Sequence, residues 1–139
     1  MSISKLNAEG YHDLTAYTAI SNIAKEEKAF FAYRPLVYIC SPYAGDVETN
    51  VKAARRYSRF AMKSGCIPIA PHLLFPQFMN DRKERELAMF FGKVLMSKCA
   101  ELWVFGDTIS TGMNAEIARA KRKQYRIRYF TSDLKEKRS

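Results

Sequence analysis

Four short apolar runs alternate with longer stretches of helical periodicity, and this alternation constrains the fold more than any other feature. The apolar runs cover 36–40, 66–70, 102–105 and 126–130, and the helical stretches between them cover 48–64, 82–98 and 113–124. Neighbouring parallel strands need a crossover of about a dozen residues or more, which is usually a helix. The sequence therefore predicts an α/β fold, with a mostly parallel, doubly wound sheet covered by helices on both faces.

The segment before the first strand has a pattern of its own. Residues 8–30 carry a loose apolar stripe at helical spacing, which predicts a helix added to the α/β unit. We place the boundary after residue 34, with an N-terminal helical extension at 1–34 and an α/β domain at 35–139. The length of 139 residues suits one hydrophobic core of this kind.

Composition narrows the possible partners. The formal net charge is +9, and many of the basic residues follow position 118. Such a tail can attract nucleic acid or other anionic ligands, but a solvated helix face with a frayed terminus is the preferred explanation. No zinc-finger or RNA-recognition signature accompanies the charge, so nucleic acid is the less favoured partner.

The cysteines and the apolar runs indicate where the protein resides. Cys40, Cys66 and Cys99 lack metal-ligand spacing, and their odd number argues against a disulfide framework. No apolar run has the length of a membrane span, and no secretory pattern opens the chain. We expect reduced core cysteines in a cytoplasmic protein, with no metal site, no cofactor and no membrane partner.

Three turns follow the carboxyl ends of predicted strands, at 41–46, 71–76 and 106–112, and in a doubly wound sheet they converge on one crevice. A carboxylate beside a glycine-rich turn suits a sugar or phosphate ligand, and aromatic and hydroxyl side chains suit a nucleoside. The candidate residues at this edge are Tyr38, Ser41, Tyr43, Asp46, His72, Asp107, Ser110 and Glu116.

Simpler structural roles remain open for several of these residues. Glu116 is predicted in the first turn of a helix, where an acid often only compensates the helix dipole. Tyr38 alone would be a core aromatic, and Asp107 could cap a turn. His72 could be a polar loop residue, and Ser41 and Tyr43 could serve only the turn that contains them.

Three motifs, in order, resemble those of the nucleoside 2-deoxyribosyltransferase superfamily. They are the strand and turn Val37–Gly45 with Tyr38, the strand end Pro71-His72, and Ser110-x-Gly112-x-x-x-Glu116. The resemblance spans about residues 35–130. It is nearest to the branch that hydrolyses 2'-deoxynucleoside 5'-monophosphates and to small bacterial and phage relatives, and it implies a flavodoxin-like or Rossmann-like domain.

The resemblance implies a catalytic role for Glu116, which would attack the anomeric carbon of deoxyribose, and for Tyr38, which would orient it. Ser110 stands where the monophosphate branch carries a serine, which favours a nucleoside monophosphate over a plain nucleoside. The resemblance also implies a homodimer or higher homo-oligomer. The substrate-binding residues would be Ser41, Tyr43, Gly45, His72, Asp107, Ser110, Gly112 and Met113.

The sequence lacks an acid at the place where the resemblance implies a second one. The family supplies a second acid from the helix before the third strand, but residues 92–98 contain no Asp or Glu, and Asp81, Glu86 or Asp107 would have to substitute. The alternative function is therefore a non-catalytic nucleotide-binding or sensing protein. In the predicted helix 82–98 we expect one buried face. The apolar loop before it should fold over a pocket or, together with the added N-terminal helix, contact a second subunit. The predicted inward residues are Leu87, Phe90, Phe91, Val94 and Leu95, and the apolar loop residues are Leu73, Leu74, Phe75, Phe78 and Met79.

Overall fold

The computed structural model describes residues 22–28 and 32–138 of the chain. The chain divides into two units, residues 1–33 and 34–139. In the first unit, residues 22–28 are helical, and the rest of the predicted helix at 8–30 lies outside the described residues. The second unit contains the strands and the candidate site residues.

The second unit alternates strands and helices as the apolar runs predict. The strands are β1 Leu36–Cys40, β2 Ile67–Ile69, β3 Glu101–Phe105, β4 Arg126–Phe130 and β5 Glu136–Lys137. The α-helices are α1 Val47–Lys63, α2 Pro71–Leu74, α3 Arg85–Ser97 and α4 Thr111–Arg122, and a 3₁₀ turn covers Phe75–Gln77. Short strands joined by full helices leave parallel pairing as the natural arrangement.

The sheet has the strand order β2-β1-β3-β4-β5. The first four strands are parallel, and Tyr38 at the centre of β1 pairs with Ile69 on one side and Leu102 on the other. The short β5 runs antiparallel to β4. The predicted α/β class with a mostly parallel sheet is confirmed, while the closing hairpin was missed because two residues carry no periodicity.

Alternation along the strands divides the core into two clusters, one on each face of the sheet. One cluster includes Tyr38, Cys40, Met96, Leu102, Val104, Met113, Ile117 and Ala120, from β1, β3, α3 and α4. The other includes Val37, Ile39, Tyr57, Ala61, Trp103, Phe105 and Phe130, from β1, β3, β4 and α1. Helices therefore cover both faces, as predicted, and Trp103 and Phe105 are core residues.

The face beneath α1 is packed with aromatic rings. The ring of Phe105 stacks on Tyr57 with centroids 4.4 Å apart and on Phe130 with centroids 4.8 Å apart. Large aromatic side chains bury much apolar surface and contribute strongly to core stability. This face supports the sheet, so the polar chemistry lies on the opposite face, with α3 and α4.

Helix α3 and the segment before it differ from the sequence-based expectation. The predicted loop begins with a helical turn, because Pro71 occupies a first-turn position that needs no backbone N–H. Helix α3 begins at Arg85 rather than at Arg82. Leu87, Phe90 and Val94 were predicted inward, but they are 45%, 57% and 42% exposed.

The inward face of α3 is formed by Gly92 and Met96, which are buried. Leu95 packs partly buried against the same core, as predicted, and Phe91 is half-buried. The hydroxyl of Tyr38 lies directly against Gly92. A Cβ at this position would lie 3.3 Å from that hydroxyl, so a larger residue would require a small local shift. The helix therefore turns its small residue toward the sheet and leaves four large apolar side chains at the surface, which are Leu87, Met89, Phe90 and Val94.

Candidate functional site

Helix α4 begins with a serine cap and carries Glu116 one turn further on. The hydroxyl of Ser110 accepts the backbone N–H of Met113 at 3.2 Å, which satisfies one of the free donors of the helix start. Because the helix begins at Thr111, Glu116 lies in its second turn, not in the first turn as predicted. The dipole effect falls off within the first turn, so dipole compensation does not account for this acid.

The carboxylate of Glu116 is held by two donors from β1. The hydroxyl of Tyr38 donates to Oε2, and the thiol of Cys40 donates to Oε1 at 3.6 Å. Tyr38 and Cys40 are two positions apart on one strand, so both side chains point to the same face of the sheet. The sequence-based site lacks Cys40, although this period of two could have identified it.

Burial and hydrogen bonding act in opposite directions on Glu116. Burial raises the pKa of its carboxyl group, whereas the hydrogen bonds from Tyr38 and Cys40 and the charge of Arg119 lower that pKa. The net direction is upward. The site thus holds a carboxylate in a weakly solvated setting, where the remaining stabilisation of its charge comes from named protein groups.

The two donors themselves stay protonated at neutral pH. Burial and then the charge of Glu116 raise the pKa of the Tyr38 hydroxyl above its ordinary value. The same two causes raise the pKa of the Cys40 thiol well above its ordinary value. Both groups therefore act as hydrogen-bond donors to Glu116 rather than as competing anions.

A second cluster forms where β1 and β2 end. The hydroxyl of Ser41 and Nε2 of His72 are 2.8 Å apart, and Ser41 is buried. The ring of Tyr43 meets the ring of His72 edge-on, with centroids 6.5 Å apart. Burial lowers the pKa of His72 to about 4, so its ring is neutral at pH 7. Three predicted binding residues are thus brought together.

The turn after β1 is shaped by its neighbours. Gly45 has a φ of +95°, a conformation that L side chains rarely adopt. The side-chain amide of Asn50 donates to the carbonyls of Tyr43 and Ala44, each at 3.0 Å. Asp46 caps α1 by accepting the N–H of Thr49 at 3.2 Å. Gly45 and Asp46 therefore have structural roles, in the turn and at the start of α1, while Asn50 holds the backbone of Tyr43.

The remaining predicted residues lie around the start of α4. Asp107 is mostly exposed and contacts Lys137 at 3.8 Å and Ser132 at 3.5 Å, which ties it to the β5 hairpin. Gly112 is exposed, and a Cβ there would meet nothing within 4 Å. The side chain of Met113 is buried in the core. Met113 could therefore contact a ligand only through its backbone.

No group of three or more side chains in the described ranges could hold a metal ion. Within the same ranges, no helix has both the length and the apolar character needed to cross a membrane. The chemistry visible in the site is that of one largely buried carboxylate, two neutral donors to it, and a nearby serine–histidine pair.

The fold and site define a class: an α/β protein with a largely buried carboxylate, held by a tyrosine and a cysteine of a central parallel strand. Residues 35–130 match the family described as Domain of unknown function (DUF7768). The chain belongs to that family, since the match covers more than half of its length. No curated protein matches the chain.

Proposed function

We propose that this protein cleaves the N-glycosidic bond of a nucleoside or nucleoside 5'-monophosphate, or transfers its deoxyribosyl group, with Glu116 as the nucleophile. The observation that carries the proposal is the hydrogen bond from Tyr38 to Glu116. The two residues belong to separate motifs, 78 positions apart in the sequence, and the proposed mechanism requires them to be in contact. The strand order also supports the finer proposal of a flavodoxin-like domain.

The proposed first step follows from the position of the carboxylate. An oxygen of ionised Glu116 attacks C1' of the sugar, and the C1'–N bond breaks with its electron pair leaving on the base, which takes up a proton. The ester is then resolved by water or by a second base, whose attack at C1' breaks the ester bond and restores the carboxylate.

The two donors from β1 suit this step. One donor on each oxygen orients the carboxylate and leaves further lone pairs for attack, since each oxygen has two. Neither donor is ionised at neutral pH. Of these three groups, only the carboxylate therefore carries the negative charge that stabilises the positive charge developing on the sugar. Such fixed groups need no rearrangement during the reaction, which is the basis of electrostatic catalysis.

The start of α4 supports a phosphate on the substrate. Ser110 uses its oxygen to accept the N–H of Met113, so its hydroxyl hydrogen remains able to donate to a phosphate oxygen. The exposed Gly112 lets a ligand approach the backbone closely, and helix N-termini favour anions. A nucleoside 5'-monophosphate is therefore the preferred substrate class of the proposal.

The test is a panel of 2'-deoxynucleosides and their 5'-monophosphates, with release of free base followed by chromatography. Base should appear most rapidly from a monophosphate, and Glu116→Gln should abolish the release while the melting temperature is kept. Glu48→Gln is the matched control, because Glu48 is an exposed acid in the first turn of α1. Wild-type turnover in Glu116→Gln would overturn the proposal.

A second candidate function is binding or sensing of a nucleotide without catalysis. The observation that favours it is the surroundings of Glu116, where none of Asp81, Glu86 or Asp107 is among the groups that shift its pKa. Among the described residues, no second acid of the kind that usually assists the leaving group acts on this carboxylate. This candidate predicts a thermal shift with a nucleoside monophosphate and no released base from any member of the panel.

A further inference from the structure

A cleft outside the carboxylate site lies between α3 and α4. It has a volume of about 430 Å³, and its lining includes Lys93 from α3 and Arg119 and Arg122 from α4. Lys123 and Tyr125, which follow α4, complete that side. Cavities of about 300–1,000 Å³ are typical of small-molecule sites, so the cleft is large enough for one such ligand.

The charge of this cleft has one sign. Four of the lining side chains are cationic, and the lining contains no carboxylate. None of the four enters an ion pair in the part of the chain that the structure describes. A cleft lined by one sign of charge concentrates its field and attracts ions of the opposite sign.

Compensation of the helix dipole explains only part of this arrangement. Arg119, Lys121 and Arg122 stand in the last turn of α4, where cations are favoured without any ligand. Lys93 lies outside the last turn of α3, so the dipole of its own helix does not account for it. Cations from two elements converge on one cavity, while Lys121 of the same turn lines no part of it.

The lining of the cleft is distinct from the groups around the carboxylate, since it includes neither Glu116 nor its two hydrogen-bond donors. Tyr125 immediately precedes β4, so this end of the cleft lies at the amino edge of the sheet, whereas the Ser41 and His72 cluster lies at the carboxyl edge. Arg119 is the connecting residue, since its charge also lowers the pKa of Glu116.

We propose that the cleft between α3 and α4 is a second binding site for a small polyphosphate anion of nucleotide size. Arginine presents several donors in a fixed fork that matches phosphate oxygens, and lysine supplies compact charge. The ring of Tyr125 and the apolar side chains of Val94 and Met96 give the same cleft an apolar wall. A di- or triphosphate with an attached ring system fits both kinds of lining.

The experiment is a calorimetric titration with inorganic tripolyphosphate and with ATP, at about 0.15 M salt to screen loose surface attraction. Wild-type protein should bind one equivalent of either ligand, and its melting temperature should rise because the ligand binds only the folded state. ATP should bind more tightly than tripolyphosphate if the ring system contributes, and equal affinities would assign the site to the phosphates alone.

Two neighbouring substitutions separate the cleft from general charge. Arg122→Gln should weaken tripolyphosphate binding about tenfold, which is about 1.4 kcal/mol. Lys121→Gln should weaken it less than about twofold, although it removes the same charge from the same exposed helical turn. Unchanged melting temperatures of the free variants would show that folding is unaffected. Equal losses in both variants, or binding that does not saturate, would overturn the proposal.

A single-stranded oligonucleotide provides the last arm of the test. If the oligonucleotide binds only through surface charge, Arg122→Gln and Lys121→Gln should weaken its binding equally, because it contacts both residues. This outcome supports the assignment of the cleft to small anions. Oligonucleotide binding that depends on Arg122 alone and exceeds the affinity for tripolyphosphate would overturn the assignment to a small ligand.

Discussion

The hydroxyl of Tyr38 and the carboxylate of Glu116 share one hydrogen bond across 78 positions of sequence. At the scale of the residue, this bond has an electrostatic consequence. It favours the ionised carboxylate and so opposes the burial that raises the pKa of Glu116. A nucleophile must be ionised to attack, so Tyr38 should influence the rate through the charge of Glu116 as well as through its geometry.

The first prediction concerns Tyr38→Phe, which keeps the ring and removes only the hydroxyl. Turnover should fall roughly tenfold to a hundredfold, the scale of about one to three kcal/mol for a lost hydrogen bond to a charged group. The acid limb of kcat/KM should move to higher pH, because the pKa of Glu116 rises when a donor to its charged form is removed. Initial rates of base release across pH measure both effects.

Tyr57→Phe provides the control for this change. Tyr57 is a second buried tyrosine, but it stacks on Phe105 on the opposite face of the sheet. It should leave the pH profile of the reaction in place. A normal rate in Tyr38→Phe, together with a large loss of stability, would show that Tyr38 is only a core aromatic.

At the scale of the element, helix α3 approaches the sheet closely at Gly92, where even a small side chain would press on Tyr38. A Cβ built on Gly92 would lie 3.3 Å from Oη of Tyr38, which is tighter than an ordinary van der Waals contact. Glycine in a helix interior costs about 0.5–1 kcal/mol relative to alanine. Glycine nevertheless occupies this position, where the helix passes beside the Tyr38 hydroxyl.

The second prediction therefore concerns Gly92→Ala. The added methyl group should displace the Tyr38 hydroxyl by a few tenths of an ångström and lower turnover about threefold to thirtyfold, because small displacements of a positioning group are costly. The melting temperature should change little, since the gain in helix propensity offsets the closer contact. Base-release rates and thermal unfolding of the variant measure the two quantities.

A double-mutant cycle identifies the atom responsible. In a Tyr38→Phe background the hydroxyl is absent, so Gly92→Ala should have almost no further effect on the rate. Additive losses in the double variant would mean that Gly92 acts on the site by another path, and the contact between α3 and Tyr38 would lose its proposed importance.

At the scale of the whole molecule, the second unit leaves a stripe of large apolar side chains at its surface. Leu87, Phe90 and Val94 are spaced by three and four positions on α3 and share one face of it. Phe78 and Leu74, from the predicted contact loop, are also exposed, at 64% and 52%. Contiguous apolar surface of this kind often marks an interface between proteins.

The third prediction is self-association through the stripe on α3. Wild-type protein should sediment as a dimer or higher oligomer at micromolar concentration, because a closed symmetric contact buries the same stripe from both copies. Phe90→Glu should shift the equilibrium toward the 16.0 kDa monomer, because a charge is costly to bury in an apolar contact.

The matched control is Lys98→Gln, which lowers the net charge by one, as Phe90→Glu does. Lys98 is exposed and lies at the end of α3, outside the stripe. It should leave the sedimentation profile unchanged. A wild-type chain that stays monomeric throughout the concentration range contradicts self-association and leaves the α3 stripe without this role.

The sequence by itself determined most of the elements and indicated the residues of the candidate site. Apolar runs of strand length separated by helical stretches leave few alternatives to a mostly parallel α/β sheet, and this much is confirmed. Turns after strands also indicated Ser41, Tyr43 and His72, which do lie together. Local periodicity suffices here because each element must bury its own apolar face.

Only the tertiary structure decided which groups touch Glu116 and which face of α3 is buried. Cys40 and Gly92 act on the site through contacts between distant segments, which no local pattern records. Helical periodicity placed Leu87, Phe90 and Val94 inward, because it reports the apolar face but not what covers that face. The basic cleft likewise exists only where α3 and α4 meet, since cations from two separate elements have to converge in space.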